Sequence, residues 1–332
     1  MSKFFVIING ETSPDSWSSW MWSDINSCAQ IYLDNNIIKN KFLKNLKKIH
    51  FGNKLNKKFW LPFKGIWDKR YSVRIDQLDC NERNYIIFQS GVKFSPRYIR
   101  KLKTQKNATI ILYFPDTNKY LGMADHRYDF EKYRRYYEID QVYSFDKEDC
   151  KKYNLRFFDL YSSNVDYINR STDKKCNVFY VGNCRSNRRF NTLLQVYEKL
   201  QKENKCEFHI VGVDEREQVF PEQIVYNRPL KYGEVVKKIL GCDCILEVIN
   251  EGQDGNTLRF KEAICYNRRL LTNNQSVYES EYYNPDWIQV FDSPDQIDVE
   301  WIKKAIDVKY DYDGRYSPVK FLEEIVGSDG GH

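Results

Sequence analysis

The feature that most constrains the fold is a rhythm of short apolar runs and helix-like segments that occurs twice along the chain. The runs of the first half are KFFVIIN, NYIIFQS, ATIILYFPD, QVYSFD and RFFDLYS, and those of the second half are CNVFYVG, CEFHIVGV, QIVYN, CILEVI, RLLTNN and WIQVF. Helix-like segments such as PRYIRKLKTQ, RRFNTLLQVYEKLQK and TLRFKEAICY lie between them. Such alternation is typical of parallel sheets covered by helices on both faces. It predicts an α/β protein with two Rossmann-like, doubly wound domains.

The polar stretch SSNVDYINRSTDKK separates the two halves and is the natural linker. We expect a first domain over residues 1–165, a second over 174–310, and a C-terminal helical segment, 311–326, that can pack back on the first domain. The end of the chain, 327–332, has no packing side chain. We expect it to be a disordered tail or residues added by cloning.

Composition excludes several classes of protein. The chain has 332 residues, of which 42% are hydrophobic and 30% charged, so it is globular. It shows no apolar run of membrane-spanning length and no signal peptide. Its nine cysteines have no metal-binding spacing. We therefore expect a cytoplasmic protein with reduced thiols, without a metal site or a cofactor.

The segment from Ile37 to Arg70 is rich in lysine and aromatic residues, and Asp68 is its one acid. Its aromatic side chains include Phe59, Trp60, Phe63 and Trp67. This mixture favours a surface that rests on an anionic membrane. A solvated basic face is the alternative. The same charges suit nucleic acid, but the chain has no recognisable nucleic-acid motif, and we expect no nucleic-acid partner.

The turns that follow the strands are where ligands bind in parallel α/β sheets. The chain lacks GxGxxG, the P-loop motif and the GxSxG elbow. Instead, VGNCRSNRR follows the first strand of the second half, and EGQDGNTLR follows the fourth. Both place glycine, small polar residues and arginine at the start of a helix, where exposed N–H groups and the helix dipole attract phosphate. This pattern predicts a diphosphate site.

The second of these turns suggests roles for its residues. Gly255, Asn256 and Thr257 form the expected helix start, and Arg259 lies one turn further on, within reach of the same phosphate charge. Glu262 lies two turns down, where it can accept hydrogen bonds from ribose. The candidate donor-binding residues are Gly182, Arg185, Arg189, Tyr232, Glu251, Gln253, Asp254, Gly255, Asn256, Thr257, Arg259 and Glu262.

The pair Asp254 and Glu262, with seven residues between them, resembles the donor-site signature of glycosyltransferases with two Rossmann-like domains facing a cleft, the GT-B architecture. The chain resembles bacterial lipopolysaccharide and capsular-polysaccharide glycosyltransferases over residues 140–292, in the stretches VYSFDKEDCKKYNLRFFDLY, NVFYVGNCRSNRRFNTLLQVYEKL and ILEVINEGQDGNTLRFKEAICYNRRLLTNN. The first acid is Asp where the family has Glu, which leaves its contact with the donor sugar open. Glu251 and Gln253 are then expected in the sugar pocket, and Tyr232 near a uracil base.

The resemblance implies a metal-independent hexosyltransferase. It would move a sugar from a nucleotide-diphosphate donor, expected to be UDP-linked, to a lipid-linked or oligosaccharide acceptor of bacterial O-antigen or capsule, at the inner face of the cytoplasmic membrane. Inversion at the sugar carbon requires a base. The candidates at strand ends of the first domain are Glu11, then Asp116, then Asp15, with His126 behind them. Retention of configuration removes that requirement.

Two rival interpretations stay open. The first is a metal-dependent transferase, for which Asp311 and Asp313 have the DxD spacing in a late polar loop. The second is a non-catalytic pair of Rossmann-like domains that binds nucleic acid or an anionic membrane through residues 37–70.

Overall fold

The computed structural model describes residues 3–9, 20–22, 25, 29–33, 38, 40–52, 61–69, 78–115, 130–161, 175–184, 186–249, 257–304 and 306–329. The chain divides into two compact units. Unit 1 comprises residues 1–162 together with 316–332, and unit 2 comprises residues 163–315. The division lies at the start of the stretch that the sequence suggests as a linker.

Unit 1 contains a parallel sheet with the strand order β2-β1-β3-β4-β5-β6. The strands are β1 (Lys3–Asn9), β2 (Ala29–Leu33), β3 (Arg83–Gln89), β4 (Ala108–Phe114), β5 (Gln141–Ser144) and β6 (Arg156–Phe157). Every residue of β4 is buried, as expected for a strand with helices on both faces. The runs of the first half form five of these strands, whereas β2 was not predicted.

The described helices that precede unit 2 are α1 (Lys41–Phe51), α2 (Pro96–Lys106), α3 (Phe130–Tyr136) and α4 (Lys147–Tyr153). Local sequence explains where they begin. The Asn40 side chain accepts hydrogen bonds from the first turn of α1. Ser95 caps α2, where a proline occupies the first turn and removes an N–H that would lack a partner.

Unit 2 contains a second parallel sheet, with the order β12-β11-β10-β7-β8-β9. Its elements are β7 (Cys176–Asn183), α5 (Asn187–Leu200), β8 (Cys206–Val211), β9 (Val225–Tyr226), α6 (Tyr232–Leu240), β10 (Cys242–Glu247), α7 (Leu258–Cys265), β11 (Arg269–Thr272), β12 (Ile288–Val290) and α8 (Val299–Lys303). The chain leaves β7 towards β8 and leaves the neighbouring β10 towards β11, on the other side. This reversal opens a crevice at the carboxyl ends of β7 and β10, which is where doubly wound sheets bind ligands.

The C-terminal helix, α9 (Pro318–Asp329), belongs to unit 1. Its Phe321 is fully buried, and its ring contacts those of Trp22, Tyr113, Tyr143 and Phe158. The helix begins later than the predicted 311–326 and ends later. Residues 327–329, which were expected in a tail, are helical, and Ser328 Oγ donates a hydrogen bond of 3.0 Å to the Ile325 carbonyl.

The basic segment is only partly the surface that the sequence suggests. Trp67 is buried, and its Nε1 donates to His50 Nδ1 at 2.8 Å, so the expectation that Trp67 anchors the chain at a membrane is wrong. Lys47 and Lys64 are buried as well. Phe63, in contrast, is 80% exposed. Phe59 and Trp60 lie outside the described residues. No helix in the described part of the chain is long and apolar enough to cross a membrane.

Candidate functional site

The crevice between β7 and β10 is built around a buried carboxylate. Glu247 is the last residue of β10, and its side chain accepts hydrogen bonds from the hydroxyls of Thr257 and Thr272. Thr257 is the N-cap of α7, and its Oγ accepts from the N–H groups of Arg259 and Phe260 at 3.1 and 3.3 Å. Glu247 therefore ties the carboxyl end of its own strand to the start of α7.

A second buried carboxylate, that of Glu262, lies on α7 and holds an arginine. Its Oε1 accepts a hydrogen bond of 2.6 Å from the hydroxyl of Tyr232, at the start of α6. Its Oε2 forms an ion pair with Arg259 Nη1. The Glu262 side chain is 0% exposed and that of Arg259 is 17% exposed. The Glu262 charge depends on Arg259, because the carboxylate has no contact with bulk water.

The end of β7 brings a second arginine to the crevice. Arg189, in the first turn of α5, donates from Nη1 to the Asn183 carbonyl at 2.8 Å. The hydroxyl of the buried Tyr180 lies beside Gly182: a Cβ atom on this glycine would come 2.7 Å from that oxygen and 3.5 Å from Arg189 Nη2. Gly182 is thus required by a close side-chain approach. It leaves room for Tyr180 and Arg189 to meet.

The electrostatics show that these groups act on one another. Burial raises the pKa of the Glu247 carboxyl, while its threonine hydrogen bonds and the charges of Arg259 and Arg189 oppose that rise. Burial also raises the pKa of Glu262, and the charge of Arg259 opposes it. Burial raises the pKa of Tyr180, and the charge of Arg189 opposes that rise. Two buried carboxylates and two partly buried guanidinium groups therefore form one network at the switch point of the sheet.

This arrangement is suited to binding an oxyanion. Arginine offers a planar fork of N–H donors that matches phosphate, and Arg189 Nε has no hydrogen-bond partner within the described residues. Arg259 is oriented by its ion pair with Glu262, and the guanidinium group has further N–H donors for a phosphate. No cluster of His, Cys, Asp or Glu that could hold a metal occurs among the described residues. Asp313, one acid of the DxD pair noted in the sequence, accepts a hydrogen bond of 2.9 Å from Arg315 Nε.

The structure locates six of the predicted donor-site residues. They lie in the network described above: Gly182, Arg189, Tyr232, Thr257, Arg259 and Glu262. The other six lie outside the described residues: Arg185, Glu251, Gln253, Asp254, Gly255 and Asn256. The catalytic candidates lie outside it too: Glu11, Asp15, Asp116 and His126. Their roles stay predictions.

The predicted role of Tyr232 differs from its place in the structure. Tyr232 is buried and its hydroxyl contacts Glu262, so its predicted place beside a base has no support in the geometry. Tyr180 and Thr272 also belong to the site and were not predicted from the sequence. The signal for Tyr180 was its spacing from Gly182, because residues two apart on a strand share one face.

Comparisons with known proteins were made on sequence and on structure. No protein-family model matches the chain, and no curated protein matches it. Solved structures do. An α-glucosyltransferase in complex with UDP and a 13-mer DNA containing an HMU base matches over 98% of this chain and 99% of that chain, at 12% identity and a TM-score of 0.59. Another structure of an α-glucosyltransferase, with UDP-glucose and DNA containing an abasic site, matches over 98% of both chains at 12% identity and a TM-score of 0.57.

A third matching structure also contains UDP-glucose. Anabaena HepE in complex with UDP-glucose matches over 99% of this chain and 100% of that chain, at 9% identity and a TM-score of 0.51. At such identities the likeness shows the fold. The chain has the GT-B architecture of two Rossmann-like domains, as the sequence predicts.

Proposed function

We propose that this protein is a glycosyltransferase that takes its sugar from a UDP-linked donor. The observation that carries the proposal is that Gly182, Arg189 and Arg259 all lie around Tyr180, at the switch point of the unit 2 sheet. The solved structures of the same fold contain UDP or UDP-glucose, which supports this class of donor.

In this proposal the diphosphate is bound by both arginines and by the amino end of α7. Arg259 keeps its ion pair with Glu262 and turns its other N–H donors to the phosphate, and Glu262 keeps its hydrogen bond from Tyr232. The guanidinium groups offset the charge that develops on the departing UDP, as preorganised donors do in other transferases. Glu262 as a ribose ligand stays a prediction, since its carboxylate is buried behind Arg259. We propose that the reaction needs no metal, which activity in EDTA will test.

The first candidate acceptor is a lipid-linked or oligosaccharide glycan, reached at an anionic membrane face. We define the α1 face as exposed Phe42, Ile49, Phe63 and Ile66 with the exposed lysines Lys41 and Lys48 and the half-buried Lys44. Phe42 is 74% exposed, and the first turn of α1 has no acidic residue. Lysines together with exposed apolar side chains suit the interface of an anionic bilayer, where each basic residue contributes about 1 kcal/mol.

The second candidate acceptor is DNA. It is favoured by the two α-glucosyltransferase structures that contain DNA, and the lysines of the α1 face suit phosphate contacts as well. This alternative departs from the expectation of no nucleic-acid partner. The exposed aromatic rings argue for the membrane, and the fold likeness argues for DNA.

Donor binding is tested first by calorimetry with UDP, UDP-glucose, GDP and ADP, in the presence of EDTA. We expect UDP and UDP-glucose to bind and the purine nucleotides to bind more weakly. Arg259→Ala should weaken UDP binding by about 1.5–3 kcal/mol, because a charge-assisted hydrogen bond is lost. The control is Arg216→Ala, which removes an exposed arginine of the same unit. Equal binding of all nucleotides, or unchanged UDP binding in Arg259→Ala, would contradict the donor site.

The acceptor is tested with radiolabelled UDP-glucose and two preparations, anionic vesicles carrying lipid-linked glycan and duplex DNA with hydroxymethylated bases. Label in the lipid fraction supports the first candidate, and label in DNA supports the second. Vesicle sedimentation complements this assay: changing Lys41, Lys44 and Lys48 to Glu should abolish binding to anionic vesicles. The matched control changes Lys147, Lys151 and Lys152 to Glu on α4. Equal binding to neutral vesicles would refute adsorption by charge.

A further inference from the structure

Unit 1 contains a cavity at the edge of its sheet where the strands begin. The cavity measures about 430 Å³. It is lined by the first residues of four strands: Arg83 of β3, Ala108 of β4, Gln141 of β5 and Arg156 of β6. Ligands of parallel α/β sheets bind at the opposite edge, beyond the carboxyl ends of the strands. The cavity is therefore separate from the site in unit 2 and from the usual position of a site in unit 1.

The charge of this cavity is unbalanced. Four basic side chains line it, those of Arg83, Lys103, Arg134 and Arg156, against the single carboxylate of Asp140. A concave surface lined by one sign of charge raises the local concentration of the opposite ion. The composition of the lining therefore favours an anion.

The one carboxylate does not neutralise the arginines. Asp140 Oδ1 accepts from Lys103 Nζ at 2.6 Å, and its Oδ2 accepts from the Ile110 N–H at 2.8 Å. Both oxygens are thus engaged, and neither of these bonds comes from a guanidinium group. Arg134 donates to the carbonyls of Ile139 and Asp140 at 3.4 and 3.2 Å, which are neutral acceptors at long distances.

Arg156 is similarly short of a counter-charge. Its nearest ion pair is with Glu324, at 4.0 Å, with both side chains about half exposed. Such a pair contributes little in water. The guanidinium carbon lies 5.9 Å from the centre of the Tyr143 ring, which orients the group without neutralising it. Arginine carries five N–H donors, so both Arg134 and Arg156 retain capacity for a ligand.

The floor of the cavity is polar and fixed. The side chain of Gln141 is buried, and its Oε1 accepts from the Tyr143 hydroxyl at 3.0 Å and lies 3.2 Å from Ser328 Oγ. Its Nε2 donates to the Ile325 carbonyl at 3.5 Å, so these contacts join this side of the cavity to α9. Buried polar groups together with two guanidinium groups match a compact ligand with several oxygen atoms.

We propose that this cavity is a second anion site that binds a phosphate group, with Arg134 and Arg156 as its main ligands. Guanidinium groups bind phosphate through paired N–H donors, which makes them more specific for it than for chloride. The proposal does not depend on the function proposed for unit 2. Failure of either leaves the other standing.

The test is titration calorimetry of the full chain with inorganic pyrophosphate. The variant Arg134→Gln/Arg156→Gln removes both guanidinium groups, and Arg97→Gln/Lys151→Gln is its control, since it removes the same charge from exposed residues of unit 1 outside the cavity. Both variants are made in the Arg259→Ala chain, because Arg259 is the candidate phosphate ligand of unit 2 and would otherwise contribute to pyrophosphate binding. In that chain, which should keep the unit 1 site, we expect the first variant to weaken pyrophosphate binding about tenfold or more and the control to leave it unchanged.

Two outcomes would overturn the proposal: equal pyrophosphate affinity in the Arg259→Ala chain with and without Arg134→Gln/Arg156→Gln, or no pyrophosphate binding to the wild type. Should the double variant fail to fold, Arg156→Gln alone removes a half-exposed side chain and serves instead. Its affinity for pyrophosphate should still fall, and an unchanged value refutes the site.

Discussion

The ion pair between Arg259 and Glu262 allows a demanding test of the buried network. Arg259→Met removes the charge and keeps most of the stem, and it leaves the Glu262 carboxylate buried with one hydrogen bond, from Tyr232. Removing one partner of a buried pair costs about 3–5 kcal/mol. We expect this loss in the free energy of unfolding of unit 2.

The double variant Arg259→Met/Glu262→Gln should be more stable than the single one. Glutamine still accepts the Tyr232 hydrogen bond, and no buried charge is left without a partner. Replacing both members of a buried pair is often close to neutral, so we expect a loss of about 1 kcal/mol or less. The difference between the single and double variants then measures the cost of an unpaired carboxylate.

The pH dependence of the single variant follows from the same contact. The Glu262 pKa is raised by burial and opposed by Arg259, so it rises further in Arg259→Met. A carboxyl whose folded pKa exceeds its unfolded value contributes stability at low pH and loses it as the pH rises through the folded pKa. The deficit of Arg259→Met should therefore shrink as the pH falls from 8 towards 5.

Hydrogen exchange in increasing urea, read on peptides from residues 232–272, measures the stability of unit 2 separately from that of unit 1. Wild-type stability in Arg259→Met would show that the pair contributes nothing. A double variant as unstable as the single one would show that packing, and not the unpaired charge, carries the cost. Either result refutes the reasoning.

Three further predictions use buried groups. Glu247→Gln should gain stability relative to the wild type as the pH rises from 5 to 8, because the raised pKa of Glu247 makes the wild type lose stability over that range. Melting temperatures of variant and wild type that change equally with pH would contradict this. Burial lowers the pKa of Lys64 to about 8, below the pKa of a lysine in the unfolded chain. The folded state favours neutral Lys64, so this contribution to stability is present above the unfolded-chain pKa and is lost as the pH falls through about 8. Lys64→Met should thus raise the melting temperature at pH 7 more than at pH 10, and an equal change at both would be the opposing result. Gly182→Ala should cost about 1–3 kcal/mol by forcing a methyl group against Tyr180, and Tyr180→Phe in the same chain should recover part of it; no recovery would mean that the clash lies elsewhere.

The strands were the most predictable part of this fold. All six apolar runs of the second half form strands, because a strand buried on both faces must be apolar along its whole length. β2 was missed, since its sequence AQIYL is short and has polar neighbours. α1 was missed for a different reason. Its many lysines were interpreted as a basic surface, and the helical spacing of its apolar residues was not used.

The glycine- and arginine-containing turns of unit 2 could be singled out from the sequence, but their contacts could not. Glycine and arginine in the turns after β7 and β10 mark the switch point, because the topology decides which strand ends meet. The burial of Glu262 and its bonds to Tyr232 and Arg259 depend on the packing of α6 against α7. Trp67 shows the same limit. A tryptophan among lysines has the composition of a membrane anchor, and only the tertiary structure shows it bonded to His50.

The discontinuity of unit 1 has a consequence for the order in which the chain matures. Phe321 completes a core made of Trp22, Tyr113, Tyr143 and Phe158, yet it leaves the ribosome after all of unit 2. Domains fold as units while synthesis proceeds, so unit 2 can close first although it comes second in the sequence. Until α9 arrives, the early-made strands of unit 1 carry an open apolar patch. The nascent chain thus exposes its first half for longer than its second, and this is when a chaperone has most to protect.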